Sequence, residues 1–131
     1  GSNLETNADE ANFSYGGSLT PAYLLENDHL KVYVKKIGSE ESHASYSTSE
    51  LVLGVYNKDN GQWMMDPGFF RITLDSHANS GSGTGYTKLI RSGYNLPYAE
   101  VMAFMNSTYL SYYINVTLES GTDFLILSGS M

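Results

Sequence analysis

An antiparallel β-sandwich of about seven strands is the fold this chain predicts, on three observations. Apolar residues recur at every second position through most of the sequence, turn-forming clusters separate these runs at short spacing, and no segment carries the i, i+3, i+4 pattern of an amphipathic helix. At 131 residues the chain is one domain, long enough to bury a core without staples. It has no cysteine, which removes disulfides, thiolate metal sites and cysteine nucleophiles. Seven Lys and Arg stand against fourteen Asp and Glu, a net charge of −7 that would repel a phosphate backbone, so no nucleic-acid partner is expected.

Residues 1–12, GSNLETNADEAN, are acidic and offer almost nothing to bury. They read as a cloning scar at Gly1-Ser2 followed by a disordered leader, with the single sandwich domain over 13–131. On that reading the natural N-terminus has been cut away, together with any signal peptide or lipid-attachment cysteine. Phe13 and Tyr15 begin the ordered chain, Gly16-Gly17 breaks it, and Pro21 precedes the apolar run Tyr23-Leu24-Leu25. Glu26-Asn27-Asp28 signals a turn. Leu30, Val32 and Val34 then alternate with Lys31, Tyr33 and Lys35, a strand with a clear inside and outside whose lysines would blunt a sheet edge. Gly38 to Ser49 is polar and serine-rich and reads as a loop.

The densest apolar material lies between Glu50 and Leu74. Leu51, Leu53 and Val55 alternate with Val52, Gly54 and Tyr56, which places the first three on one face and makes Leu53 a core residue. Lys58-Asp59-Asn60-Gly61 is the turn of a hairpin, and Asn60-Gly61 suits the positive φ angles of a type I′ turn. Trp63, Met64 and Met65 return, with the tryptophan sheltered beside the methionines. After Asp66-Pro67-Gly68, Phe70, Ile72 and Leu74 alternate with Arg71, Thr73 and Asp75 as a further strand.

His77 to Gly85 is too rich in glycine and serine for regular structure, and Ser80 to Gly85 reads as an exposed, disordered loop. Its Gly81-x-Gly83-x-Gly85 lacks the following helix that a phosphate-binding loop needs. Beyond Leu96-Pro97-Tyr98, Val101, Ala103 and Met105 alternate with Met102 and Phe104, a strand covered on both sides. Leu110, Tyr112, Ile114, Val116 and Leu118 form the longest alternation, Glu119 to Thr122 closes a hairpin, and Phe124 to Leu127 is the last strand.

The succession Leu30 to Ile37, Leu51 to Asn57, Pro67 to Ile72, Pro97 to Phe104 and Tyr112 to Leu118 resembles the immunoglobulin-like domains of bacterial surface lipoproteins and secreted immunoprotective antigens. The usual Pro-Gly turn is Pro97-Tyr98 here, and the small residue expected before the Val-x-Phe pair is missing. The resemblance covers nearly all of the chain after residue 25 and implies an immunoglobulin-like, extracytoplasmic sandwich without catalysis. It carries over no active-site residue.

Catalytic patterns point the same way. No serine sits in a nucleophile elbow, and His29, His43 and His77 fall in predicted loops or turns without the spacing of a local metal motif. No catalytic residue, metal or cofactor is therefore assigned. The chain is instead rich in tyrosine, and Tyr33, Tyr56, Tyr109 and Tyr113 fall on the parity opposite the aliphatic positions of their strands. With Trp63 they are the candidate ligand-binding residues, since aromatic faces beside polar groups hold sugars and protein partners. No apolar run approaches the roughly 20 residues that span a bilayer, so a membrane enters only through an anchor lost with the N-terminus. The function expected is a non-catalytic, secreted or cell-surface interaction domain; the alternative is a small carbohydrate-binding module using Trp63 and the surface tyrosines.

Overall fold

The computed structural model describes residues 6–65, 82–108 and 110–130. Among them the chain runs β1 (Thr6–Tyr15), β2 (Ser18–Glu26), β3 (Leu30–Lys35), β4 (Ala44–Ser47), a one-turn 3-10 helix (Thr48–Glu50), β5 (Val52–Asn57) and β6 (Gln62–Met65). It continues through β7 (Ser82–Arg91), β8 (Gly93–Leu96), β9 (Tyr98–Asn106), β10 (Ser111–Glu119) and β11 (Ile126–Ser130). Every pairing is antiparallel, in one six-stranded sheet ordered β6-β5-β3-β2-β1-β8 and one five-stranded sheet ordered β11-β10-β9-β7-β4. Each half of the chain is mainly a meander that forms one sheet. Each also lends a single strand, β4 or β8, to the edge of the other. The two-sheet sandwich is as the alternation predicts, but it has eleven described strands, and they follow meanders in place of the Greek-key connections of immunoglobulin domains.

Period-two alternation turns one side of each strand inward. Leu25, Leu30, Val32, Val34, Val52 and Val55 from one sheet meet Val101, Ala103, Met105, Ile114, Val116 and Leu118 from the other in one continuous buried cluster. Each of these Val, Leu, Ile and Met side chains contributes about 1.5 to 3 kcal/mol when fully withdrawn from water, and the Ala103 methyl less.

Polar clasps tie the sheets together at opposite ends of β3. At one end Asn27 is buried in the β2–β3 turn, where its Oδ1 accepts from the amides of His29 and Leu30 at 2.8 and 2.9 Å. Its Nδ2 donates to the carbonyls of Glu119 and Thr122 in the β10–β11 turn, at 2.8 and 2.9 Å. At the other end the Thr87 hydroxyl donates to the Lys35 carbonyl at 2.9 Å and accepts from the Ile37 amide at 2.8 Å. The Thr87 amide answers with a bond to the Ile37 carbonyl at 2.8 Å. Both side chains satisfy their buried polar atoms, which is what makes a buried polar group tolerable in a sandwich core.

Several expectations need correction. Residues 6–12 of the supposed disordered leader belong to β1, which pairs with β2 over nine residues from Asn7↔Glu26 to Tyr15↔Ser18. Backbone pairing fixes this strand, because inward it buries only small side chains such as Thr6 and Ala8 and so gives no hydrophobic signal. Ala44–Ser47, inside the expected loop, is β4, held by buried Tyr46 whose hydroxyl donates to the Phe104 carbonyl at 2.6 Å. β3 lies inside its sheet, so Lys31 and Lys35 do not guard an edge. The expected strand over Phe70–Leu74 lies outside the described residues.

Ser82 to Gly85, expected as disordered loop, opens β7 and pairs with both β4 and β9. Its glycines serve close packing: a Cβ on Gly85 would overlap the Phe104 carbonyl, and one on Gly83 the Asn106 carbonyl. Gly129 in β11 has room, since a Cβ there would meet its nearest neighbour at 3.5 Å. Gly85→Ala should therefore lower stability by about 1 to 3 kcal/mol or more, because backbone must move. Gly129→Ala should stay within about 0.5 kcal/mol of wild type. Urea midpoints of the two variants check this, and equal midpoints would refute the close-packing account.

Candidate functional site

The exposed face of the six-stranded sheet is shaped by an irregularity in β5. Tyr33 pairs with Gly54 and Val34 with Val52, so Leu53 is an extra residue bulged between them. The bulge shifts parity. Val52 and Val55 point into the sandwich, while Leu53, only 8% exposed, packs with Phe13 and Ala22 in a second, smaller cluster against Tyr33 on the outer side. Leu53 is buried as the sequence predicts, but on the opposite face from Val55.

Gly54, next along the outer face, leaves a notch. A Cβ there would meet Phe13 Cε1 and Trp63 Cζ3 at 3.0 Å each, so the missing side chain lets two rings close over the strand. Trp63, on edge strand β6, faces Tyr56 directly across the ladder. Its ring lies 5.2 Å from Tyr56, 5.7 Å from Phe13 in an edge-on contact and 6.1 Å from Tyr33. Phe13 and Tyr33 are 5.1 Å apart. These separations are those of favourable aromatic pairs, worth about 0.5 to 1.5 kcal/mol each beyond area. Phe13 is buried beneath the group, and Trp63 is 49% exposed.

That exposure corrects the expectation of a sheltered tryptophan. β6 is an edge strand, and Trp63 stands on the solvent side of the sheet, held by rings below and beside it while one face stays open. The structure thus brings Trp63, Tyr33 and Tyr56 together. Phe13, which completes the group, is not among the predicted site residues, because with most of β1 read as leader no strand parity places it on this face. Tyr113 does not join them: it lies on the outer face of the other sheet, at the end of a row His43, Tyr86, Phe104, Tyr113 with successive ring separations of 5.3, 5.8 and 5.1 Å. Tyr109 lies outside the described residues.

The hairpin that presents Trp63 is braced by charge. Lys58 Nζ reaches Glu26 Oε2 at 2.8 Å and the Asn27 carbonyl at 3.0 Å, and the Lys58 amide donates to the His29 carbonyl at 2.8 Å. His29 Nδ1 meets Asp59 Oδ2 at 2.9 Å. The turn is a four-residue loop closed by a bond from the Gly61 amide to the Asn57 carbonyl at 2.9 Å. Gly61 alone takes positive φ, at 72°, so it is not the type I′ turn that Asn60-Gly61 suggests.

No protein-family model, no curated protein and no solved structure matches this chain.

Because Trp63 is the only tryptophan, emission reports this site alone. Emission should be red-shifted and quenched by acrylamide, and Gly54→Ala, which crowds the notch, should shift it further; a blue-shifted, unquenched spectrum would contradict the exposed ring. A second expectation concerns pH. The hydrogen bond to Asp59 raises the His29 pKa above the ordinary histidine value, with Asp59, Asp28 and Asp123 charges adding to it. A raised folded pKa means that this contribution to stability is fully present below the unfolded histidine pKa and is lost as pH rises through the folded value. NMR titration should find the His29 midpoint raised and Asp59→Asn should lower it; an unmoved midpoint in the variant would show that the pair is not formed in solution.

Proposed function

We propose that this chain is a non-catalytic binding domain that works outside the cytoplasm, and that the aromatic face of the six-stranded sheet is its binding surface. One observation carries the reading: Trp63 stands half exposed on a face where Phe13, Tyr33 and Tyr56 hold its ring in place. The exposed part of the ring adds nothing to folding, whereas a rigid, partly hydrated ring is what stacking on a ligand needs. What this face offers is stacking and hydrogen bonding. The compartment rests on the resemblance to immunoglobulin-like domains of bacterial surface proteins, which the two-sheet architecture supports and the meander order does not.

Of the two ligand classes open from sequence, protein and glycan, the exposed Trp63 favours the glycan. The ring has polar company: Lys31 is the cross-strand partner of Tyr56, and the Lys58–Glu26 pair lies behind the hairpin. Sugar rings need this combination, an apolar face to stack on and donors and acceptors at its rim. A glycan-array screen of the wild type and of Trp63→Ala is the test. Binding by the wild type should fall at least about tenfold, or 1.4 kcal/mol, in the variant with its unfolding midpoint retained. A wild type that binds no glycan, or a variant that binds as well, would overturn the reading.

A further inference from the structure

The open face continues beyond the rings. Register places Asn7, Glu26, Lys31, Tyr56 and Trp63 in one cross-strand row: Asn7 pairs with Glu26, Glu26 with Lys31, Lys31 with Tyr56 and Tyr56 with Trp63. At the far end of that row, where β8 joins β1, lies a cleft of about 150 Å³ bordered by Asn7, Asp9, Leu24, Glu26, Gly93 and Tyr94. Tyr94 is 72% exposed and forms its outer wall. Among the described residues, Asn7 Oδ1 is the buried side-chain polar atom without a hydrogen-bond partner. An acceptor withdrawn from water and left unpaired costs about 1 to 3 kcal/mol. Asn7 itself borders the cleft, where rotation of its side chain would bring the amide to a ligand hydroxyl.

We propose that this cleft is a second subsite of the Trp63 face, and that the ligand is an elongated neutral oligosaccharide lying across the strands from Trp63 to Tyr94. The inference rests on the glycan reading given above. Among the described residues β6 and β8 are the two edges of the sheet, and five inter-strand steps of about 4.8 Å separate them by about 24 Å. A monosaccharide cannot cover that distance. An aromatic residue stands near each end, with an amide, two carboxylates and an ammonium between them, which is a pattern for stacking terminal rings and hydrogen-bonding the hydroxyls of the intervening ones.

Charge selects the class. Asp9 lines the cleft beside Glu26, whose charge Lys58 offsets, and the chain carries a net charge of −7, so sulfated or uronate-bearing glycans meet like charge at Asp9 and in the overall field. An extended peptide is disfavoured for another reason. Peptides that join sheets do so at strand edges, through unpaired backbone groups. Here the ligand would lie on the face of the sheet, where Glu26, Lys31 and Tyr56 sit on strands paired on both sides at those positions and present their side chains.

The test is a titration of the intact chain with neutral cello-, xylo-, manno- and chito-oligosaccharides from disaccharide to hexasaccharide, and with oligogalacturonides as the acidic counterpart. Trp63 emission and calorimetry supply the readouts. Affinity for one neutral series should rise by about tenfold or more with chain length. Tyr94→Ala and Asn7→Ala should each remove most of that gain while leaving the short oligomers bound, and Trp63→Ala should abolish binding of all lengths. Neither subsite variant should lose stability, since Tyr94 is exposed and removing the unpaired Asn7 amide relieves a buried polar atom. Affinity independent of length and unchanged in Tyr94→Ala and Asn7→Ala would sink the second subsite and leave the Trp63 reading standing. Preference for oligogalacturonides would overturn the neutral class. Absence of binding to every series would defeat both readings.

Discussion

One extra residue in β5 governs both sides of the six-stranded sheet. A regular strand would place Leu53 inward with Val55 and Leu51, and Val52 outward with Gly54 and Tyr56. The bulge at Leu53 instead sends Val52 inward opposite Val34 and frees Leu53 to fill the outer side beneath Phe13 and Tyr33. The strand is therefore buried on both faces for part of its length, and the outer aromatic cluster acquires an aliphatic floor. Gly54 follows at once, where its missing side chain admits the Phe13 and Trp63 rings. Bulges redirect side chains and increase local twist, and here the redirected positions lie under the candidate site.

The same hairpin also explains how an edge tryptophan stays ordered. Among the described residues β6 pairs with β5 alone, and an edge strand with one neighbour is the part of a sheet most prone to fray. Lys58 and Asp59, in its turn, reach across to Glu26, Asn27 and His29 in the β2–β3 turn. Exposed ion pairs stabilise little one by one. Their effect here is positional, because the β2–β3 turn is itself anchored by the buried Asn27 amide to the other sheet. Trp63 is thus joined through two turns to the most constrained polar group in the fold.

What the sequence reveals and conceals follows from where burial leaves a mark. β3, β9 and β10 alternate large aliphatic and polar residues, so their inward faces are plain from the sequence alone. β1 and β4 are concealed because their inward positions hold Thr6, Ala8 and one tyrosine among serines, and backbone pairing supplies what side chains do not. The glycines of Ser82–Gly85 mislead for a different reason: glycine marks flexibility and close approach alike, and only the neighbouring strand shows which applies. The bulge is beyond a period-two argument altogether, since alternation on both parities of β5 leaves the register open. Tyr33 and Tyr56 are nevertheless legible from parity, and Trp63 stands out as the one tryptophan just past a hairpin turn. The Asn7 cleft is not, because it depends on a strand hidden in the acidic stretch 1–12, and Phe13, read as the start of the ordered chain, has no strand parity without the rest of β1.

The locations of the departures from good folding are themselves informative. An unpaired buried amide oxygen at Asn7 costs free energy, and a tryptophan on an edge strand leaves half of its surface in water although rings pack against the rest. The sandwich interior shows no comparable lapse at its polar clasps: Asn27 satisfies both ends of its amide and Thr87 both capacities of its hydroxyl. Trp63 and Asn7 instead share one outer face and one cross-strand row, with Glu26, Lys31 and Tyr56 between them. Two such features in a single row are what the proposed elongated ligand would account for together.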